Sequence, residues 1–437
     1  MKIVALCGLL GYGYDKQSLL NAFEEKVDYL GVDAGSTDPG PYYLGSGKSF
    51  TDRTAVKRDL ALALPLAIKN KTPFIIGTAG GAGSDRHVKW LKEIIYEIAS
   101  EENLHFSLGT VYSDVTKEYV CEKLEQGKVI NLSDKFPLSK EEIENSTTIV
   151  SQVGVAPIIE LLKQNIEVIV CGRACDTAIY AAPLLLNGYD EGLAFHMAKI
   201  MECGAMCSEP VAAADVMQAY IEKDYFELCP ASKNRRCTVE RVAAHTLYEQ
   251  SNPYLIFEPD GMADLHDSKY LQVDEKTVRV SESKFVPAKQ KTLKLEGVKI
   301  SGYRTVSPAV INDPLTIEKL DFIIDTVNNF VKANLSSKID EKEYTINYKT
   351  AGGKESSLSI IIDVVAKSQD IADTVCALAR SRMLHCDYEG RKSSAGNLAF
   401  PFSPSDIHVG EVYEFSIFHL VEVDDLLETS KITVERV

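Results

Sequence analysis

Short apolar runs alternate with amphipathic stretches through the first 200 residues. The runs predict buried strands at 2–7, 27–32, 74–76, 106–112 and 166–170. Between them, apolar residues recur at helical spacing, for example over 53–70, where Pro65 is expected to kink or shorten the helix. Repeated strand–helix alternation predicts an α/β fold with a mostly parallel, doubly wound sheet in this part of the chain.

The pattern changes after about residue 200. Short alternating runs between 235 and 313 predict a β-rich subdomain, and a polar stretch at 335–343 resembles a linker. A β-branched strand at 357–365, a helix at 370–384 and a strand at 412–421 predict a small C-terminal α+β domain. The expected domains are therefore 1–200, 201–343 and 344–437.

The pattern from Phe74 to Arg86 predicts a strand, a glycine-rich turn and a helix. Gly80, Gly81 and Gly83 follow the apolar run, and Ser84 and Asp85 open the helix. Glycines at the carboxyl end of a parallel strand let backbone N–H groups approach a ligand closely. This loop is predicted to form one wall of a ligand site.

Two earlier strand ends have a similar composition. Gly11 and Gly13 follow the first strand, and Asp33, Ser36, Thr37 and Asp38 follow the second. Polar loops at strand carboxyl ends are where α/β proteins place their sites, so we expect these residues to bind ligand, with both aspartates catalytic. The alternative is that the aspartates only accept hydrogen bonds from turn N–H groups.

Common nucleotide motifs do not fit. The spacing after Gly11 and Gly13 places Lys16 where a dinucleotide fingerprint needs glycine, and Gly47-Lys48-Ser49 lacks the first glycine of a P-loop.

The strand at 166–170 ends in a segment with ionisable side chains. Arg173 could clamp a carboxylate or phosphate, and Asp176 could bind ligand or simply cap the next helix. Farther on, Glu202 precedes a Cys-Gly pair and is a candidate general base or acid, or else a solvated carboxylate at a helix end.

Cysteine spacing raises the question of a metal site. Cys171 and Cys175, like Cys203 and Cys207, are four residues apart, whereas zinc and cluster motifs mostly use C-x-x-C. Buried thiols are the expected interpretation, and no metal is predicted.

Composition narrows the range of partners. A formal net charge of −16 argues against nucleic acid and against an anionic membrane surface. The first residues resemble a core strand rather than a signal peptide, and ten scattered cysteines suit a reducing cytoplasm. We expect a cytoplasmic homo-oligomer that binds a small-molecule substrate.

The C-terminal part contains one more candidate. A loop of small, polar and aromatic residues at 395–406, with Asn397 near its start, lies between the predicted helix and the last strand. Such a loop indicates a binding site or an interface.

Several of these segments resemble the acyclic terpene utilisation family AtuA. They are VDAGSTDPGPYYLG (32–45), IIGTAGGAG (75–83), CGRACDTAIYAAPL (171–184), AKIMECGA (198–205), RRCTVERVAAHTLYE (235–249) and AGNLAFPFSPSDI (395–407). Cys175 departs from the small non-thiol residue typical of the family. The resemblance implies a cytoplasmic catabolic enzyme, a hydratase or lyase acting on a branched hydroxy acid or an acyl-CoA thioester. It identifies no site residues.

Two functions follow from these observations. The first is an enzyme that adds or removes water or cleaves a carbon–carbon bond, with no redox cofactor and with a CoA thioester possible as substrate. The second is a non-catalytic subunit that binds acyl-CoA or a nucleotide and works with a partner protein. A nucleotide-dependent kinase or ligase is a third hypothesis. It rests only on the incomplete P-loop at 47–49 and on Asp33-Ala-Gly-Ser-Thr, which is similar to the phosphate loop of actin-like kinases although nothing else of that fold is evident.

Overall fold

A computed structural model describes residues 1–133, 137–247, 252–353 and 356–437. The chain forms two compact units, Met1–Lys299 with Phe415–Val437, and Ile300–Glu414. This division differs from the three expected domains, because strands after residue 200 join the sheet of the first unit.

The helices lie mostly in the first 200 residues. They are α1 (Lys16–Ala22), α2 (Pro41–Ser46), α3 (Arg53–Asn70), α4 (Asp85–Glu102), α5 (Lys117–Glu125), α6 (Lys140–Asn145), α7 (Ala156–Lys163), α8 (Ala178–Leu186), α9 (Glu191–Met201), α10 (Val239–Thr246), α11 (Pro314–Glu318), α12 (Leu320–Leu335) and α13 (Gln369–Leu384).

The strands run through both units. They are β1 (Lys2–Ala5), β2 (Tyr29–Asp33), β3 (Phe74–Gly77), β4 (Ser107–Tyr112), β5 (Val129–Asn131), β6 (Thr148–Gln152), β7 (Val168–Cys171), β8 (Ser208–Glu209), β9 (Met217–Ile221), β10 (Tyr225–Pro230), β11 (Arg236–Cys237), β12 (Leu255–Glu258), β13 (Gly261–Asp264), β14 (Lys269–Gln272), β15 (Val278–Ser281), β16 (Lys284–Pro287), β17 (Lys291–Ile311), β18 (Tyr344–Gly352), β19 (Leu358–Ala366), β20 (Ile407–Val423) and β21 (Lys431–Arg436).

A ten-stranded mixed sheet forms the centre of the first unit, in the order β14-β15-β10-β9-β1-β2-β3-β7-β4-β21. Its five central strands are parallel, in the order β1-β2-β3-β7-β4. The strands on both sides of this block pair antiparallel. The predicted α/β class and parallel N-terminal sheet are confirmed, because helices cover both faces.

Alternating side chains explain why two helical layers are needed. Phe74 and Ile76 of β3 belong to the apolar core shared with α3 and α4, whereas Ile75 belongs to the core shared with α7, α8 and α9. A strand buried on both faces is apolar at every position, as β3 is.

The helix predicted over 53–70 is confirmed, but it continues through Pro65, so the expected shortening is wrong.

The region predicted to be a β-rich subdomain is divided among several sheets. β9, β10, β14 and β15 extend the main sheet, while β12, β13 and β16 form a separate three-stranded sheet. The helix within 235–249 covers only Val239–Thr246. The last two residues of that motif, 248 and 249, lie outside the described residues.

The second unit is an antiparallel sheet with two packed helices. β19 pairs with β18 and with the second half of β17, and the apolar face of this sheet packs with α12 and α13. The predicted strand and helix at 357–384 are confirmed as β19 and α13.

Candidate functional site

A pocket of about 230 Å³ opens at the carboxyl ends of β1 and β2. Loops after β1, β2 and β7 supply part of its wall, Phe50 comes from the segment between α2 and α3, and the end of α9 with the segment that follows it supplies the rest. The lining residues are Gly8, Leu9, Tyr12, Asp33, Gly35, Ser36, Asp38, Pro39, Phe50, Asp176, Glu202, Cys203, Met206 and Ala213. Parallel strands place their carboxyl ends at one edge, which brings these distant segments together.

Asp33 is a buried carboxyl group of the pocket, with 7% of the residue exposed. Its Oδ2 accepts a hydrogen bond from the Gly35 N–H at 3.3 Å, whereas its buried Oδ1 has no hydrogen-bond partner among the described residues. Burial, and then the neighbouring Asp176 and Glu202, raise the pKa of Asp33 well above its ordinary value. The turn contact expected as an alternative role therefore exists, but it uses only one oxygen.

Glu202 reaches the same pocket from the end of α9, where it is the C-cap residue. The residue is 3% exposed, so the interpretation as a solvated carboxylate is wrong. The Lys199 ammonium, one helical turn earlier, donates a hydrogen bond to Glu202 Oε1. Burial opposes the charge on Lys199, but the Glu202 carboxylate outweighs it and raises the lysine pKa. This contact favours charge on both partners.

Asp176 lines the same pocket as Asp33, and burial raises the pKa of Asp176 although Arg173 and Lys199 oppose the shift. The helix-capping interpretation is wrong, because Thr177 occupies the N-cap position of α8 and no side chain caps that end. Asp176 Oδ1 instead lies 3.6 Å from Nη1 of Arg173.

Arg173 is buried and is committed to protein partners. Its Nε donates to Glu296 Oε2 at 2.8 Å and its Nη1 to the Ala174 carbonyl at 2.9 Å. Burial opposes the charge on Glu296, but Arg173 and then Lys294 outweigh it and lower the glutamate pKa to about 2. Arg173 is not among the described residues lining the pocket, so its predicted role as a ligand clamp has no geometric support here.

The glycine loop after β3 packs closely against neighbouring segments, and its glycines are not among the described residues that line the pocket. A Cβ on Gly83 would lie 2.3 Å from the Arg173 nitrogen, and one on Gly80 would lie 2.8 Å from Cβ of His87. A Cβ on Gly35 would lie 2.4 Å from Cα of Gly81. These glycines let three loops pack closely, and the predicted ligand wall at Gly80, Gly81 and Gly83 is replaced by this packing role.

The N–H groups of the first glycine loop hold a carboxylate of the protein itself. Gly11 and Gly13 both donate to Asp59 Oδ2, at 2.8 and 3.1 Å. Asp59 is fully buried on α3, so these donors are occupied. Gly11 and Gly13 shape the loop that presents Leu9 and Tyr12 to the pocket.

The remaining predicted residues of the second loop differ in position. Ser36 and exposed Asp38 line the pocket, and the Ser36 hydroxyl accepts a hydrogen bond from the Asp38 N–H at 3.2 Å. Thr37 is buried and is not part of the described lining.

Asn397 belongs to the second unit. Its side-chain amide donates to the Met383 and Cys386 carbonyls, at 3.0 and 2.8 Å, and so holds the end of α13. It also lines a cavity of that unit.

The profile described as "Acyclic terpene utilisation family protein AtuA" matches residues 46–223 and 228–395. The chain belongs to the AtuA family. No curated protein and no solved structure matches it. The matched ranges of this AtuA family member include Asp176 and Glu202, whereas the loop with Asp33 precedes them.

Sequence reasoning missed several groups around the pocket. The Cys203 thiol lines it, and the buried Tyr180 hydroxyl has no hydrogen-bond partner in the described chain. Glu258 is buried and accepts a hydrogen bond from the hydroxyl of Thr177, the residue after Asp176. Burial raises the pKa of Glu258 to about 8 although the Thr177 hydroxyl opposes the shift. Cys203 could have been predicted because it directly follows Glu202 in the sequence. No local sequence pattern marks Tyr180 or Glu258 as part of a site.

The ten cysteines of the AtuA family member all lie within the described ranges, and they form no disulfide. Within the described ranges, no three His, Cys, Asp or Glu side chains are grouped closely enough to hold a metal ion. The helices of those ranges include none with the length and apolar character to cross a membrane.

Proposed function

We propose that this protein is a hydratase or lyase that moves protons with Asp33 and Glu202. One observation carries the proposal: two carboxyl groups of unlike environment share one pocket. Burial favours the protonated form of Asp33, and the Lys199 ammonium favours the ionised form of Glu202. Pairs of titratable groups driven toward opposite protonation states typically serve as acid and base.

The chemistry is a reversible elimination of water. Glu202 as base removes a proton from the carbon next to a carbonyl, and Asp33 as acid protonates the hydroxyl on the neighbouring carbon. The C–H and C–O bonds break, a double bond forms, and water leaves. Solvent then removes the proton from Glu202 and returns one to Asp33. No net oxidation occurs, so no redox cofactor is required.

The charge of the pocket favours one substrate class. Among the described lining residues none is Lys or Arg, whereas Asp33, Asp38, Asp176 and Glu202 all carry carboxyl groups. A free carboxylate entering this pocket would meet like charge without a compensating cation. A thioester is uncharged at its reacting end, so we propose an acyl-CoA thioester rather than a free hydroxy acid.

The test is turnover of branched 3-hydroxyacyl-CoA and 2-enoyl-CoA esters, followed by the absorbance of the conjugated double bond. Asp33→Asn and Glu202→Gln should each lower kcat by about 100-fold or more, the effect typical of losing an acid or base. Asp224→Asn and Glu24→Gln change exposed carboxylates and should leave kcat unchanged.

Full activity in both pocket variants would contradict the assignment. Binding of the thioesters without turnover by the unaltered protein would favour the non-catalytic subunit instead.

A further inference from the structure

The second unit contains a larger cavity of its own, with a volume of about 600 Å³. It lies between the segment that opens α11 and the loop at 390–399. Leu315 and Leu398 give it apolar surface, and Arg391 and Lys392 give it positive charge. This volume is within the range typical of small-molecule sites, about 300–1,000 Å³.

Arg391 is fixed by its own loop. Its Nη2 donates to the Ala395 carbonyl at 2.6 Å, and its backbone N–H donates to the Tyr388 carbonyl at 3.1 Å. Its Nε–H is buried and has no hydrogen-bond partner among the described residues. An unsatisfied donor on a charged group is costly, which is the condition that an anionic acceptor would relieve.

The acidic side chain of the cavity does not compensate this charge. Asp313 Oδ2 accepts hydrogen bonds from the Thr316 N–H and hydroxyl, at 2.7 and 2.8 Å, and from the Tyr388 hydroxyl at 3.3 Å. These contacts, the Thr316 hydroxyl first, lower the pKa of Asp313 and hold it as a carboxylate. Its Oδ2 is directed to local donors, and among the described residues no carboxylate forms an ion pair with Arg391 or Lys392.

The C-terminal part of the loop that carries Arg391 is anchored to neighbouring elements. Ala399 exchanges two backbone hydrogen bonds with Val310, both at 2.8 Å, and the Asn397 N–H donates to the Leu384 carbonyl at 2.8 Å. Gly396 packs so closely that a Cβ there would lie 2.4 Å from Leu384 Cδ1. Such anchoring reduces the ordering that a ligand would otherwise have to impose.

We infer that this cavity binds a small organic anion, whose phosphate or carboxylate contacts Arg391 and Lys392 and whose apolar part contacts Leu315 and Leu398. The inference is independent of the reaction proposed above, since it concerns a cavity of the second unit alone. The inference also changes the role expected for Asn397. Its side chain supports the cavity by holding the end of α13.

The test uses the full chain and three probes that share one ring: phenyl phosphate, benzoate and benzyl alcohol. Calorimetry should show binding of one or both anions and none of the alcohol, and comparison of the anions separates phosphate from carboxylate as the preferred group. Arg391→Gln should weaken anion binding by about tenfold or more, the effect of one charged hydrogen bond.

Lys338→Gln removes an equal charge from an exposed position of the same unit and should not change binding. The Nε–H resonance of Arg391 should shift when the anion is added, and this readout does not depend on enzyme activity. Equal weakening by Arg391→Gln and Lys338→Gln, or no anion binding in the millimolar range, would overturn the inference.

Discussion

The Lys199 ammonium donates a hydrogen bond to Glu202 Oε1 across one turn at the end of α9, where both residues are buried. Neither charge would be stable there alone, because removing one partner leaves the other without compensation in a low-dielectric region. The pair therefore keeps a charged carboxylate at the wall of the pocket.

Replacing Lys199 should expose this dependence. Lys199→Met is expected to lower the free energy of unfolding by about 3 kcal/mol, because Glu202 remains buried without its cation. Adding Glu202→Gln should recover part of the loss. Urea denaturation measures both, with Lys338→Met as the exposed control. A loss no larger than that of the control would show that the buried pair contributes nothing.

Glu258 should make stability depend on pH. Its pKa is raised to about 8, so the folded protein retains the Glu258 proton while the unfolded chain loses it from about pH 4.5. The proton retained by Glu258 favours the folded state at low pH, and this contribution to the free energy of unfolding is lost as pH rises through this window. Glu258→Gln should gain in unfolding temperature relative to the unaltered protein between these values and level off above pH 8. A constant difference across the range would refute the raised pKa.

Asp59 should be needed by the first glycine loop. Asp59→Ala removes the acceptor of the Gly11 and Gly13 N–H groups, and we expect a loss of about 3 kcal/mol from two charged hydrogen bonds. Asp15→Ala is a matched comparison, since Asp15 accepts only at the N-terminus of α1 and its loss should cost about 1 kcal/mol. Chemical denaturation of both variants gives the comparison. Equal losses would mean that Asp59 does no more than a helix cap.

Two glycines with similar backbone angles should respond differently to alanine. Gly83 and Gly188 have φ of +70° and +77°, but a Cβ on Gly83 meets the Arg173 backbone whereas nothing lies within 4 Å of one on Gly188. Gly188→Ala should cost about 1 kcal/mol from backbone strain alone. Gly83→Ala should cost about 3 kcal/mol or more, because steric overlap is added. Comparing the thermal unfolding of the two variants separates the cost of steric overlap from the cost of backbone strain.

Local patterns were sufficient for the elements around β3. Its apolar run and the periodic residues after Ser84 placed both the strand and α4, because both elements bury faces that the sequence itself displays. The glycines between β3 and α4 correctly predicted a turn. They did not predict which segments pack against that turn. Whether an N–H faces a ligand or another loop depends on what packs there, and for Gly83 this is Arg173, from a strand end far along the chain.

Some features of the candidate site could be predicted from the sequence, and others could not. That Asp33 and Glu202 line the pocket could be predicted, because each occupies the end of an element, where α/β folds collect polar groups. The partner of Arg173 could not be found, because Glu296 lies on β17, 123 residues later. An arginine at a strand end looks the same in sequence whether it meets a ligand or a buried carboxylate.

The pairing of β21 with β4 has a consequence for folding during synthesis. β21 covers the edge of β4 from residue 107 to residue 112, and Val437 exchanges backbone hydrogen bonds with Phe106. The ribosome makes the whole of the second unit between these two strands. The nascent chain must therefore hold an open sheet edge, with the hazard of wrong pairing that such edges bring, until residues 431–437 emerge from the ribosome.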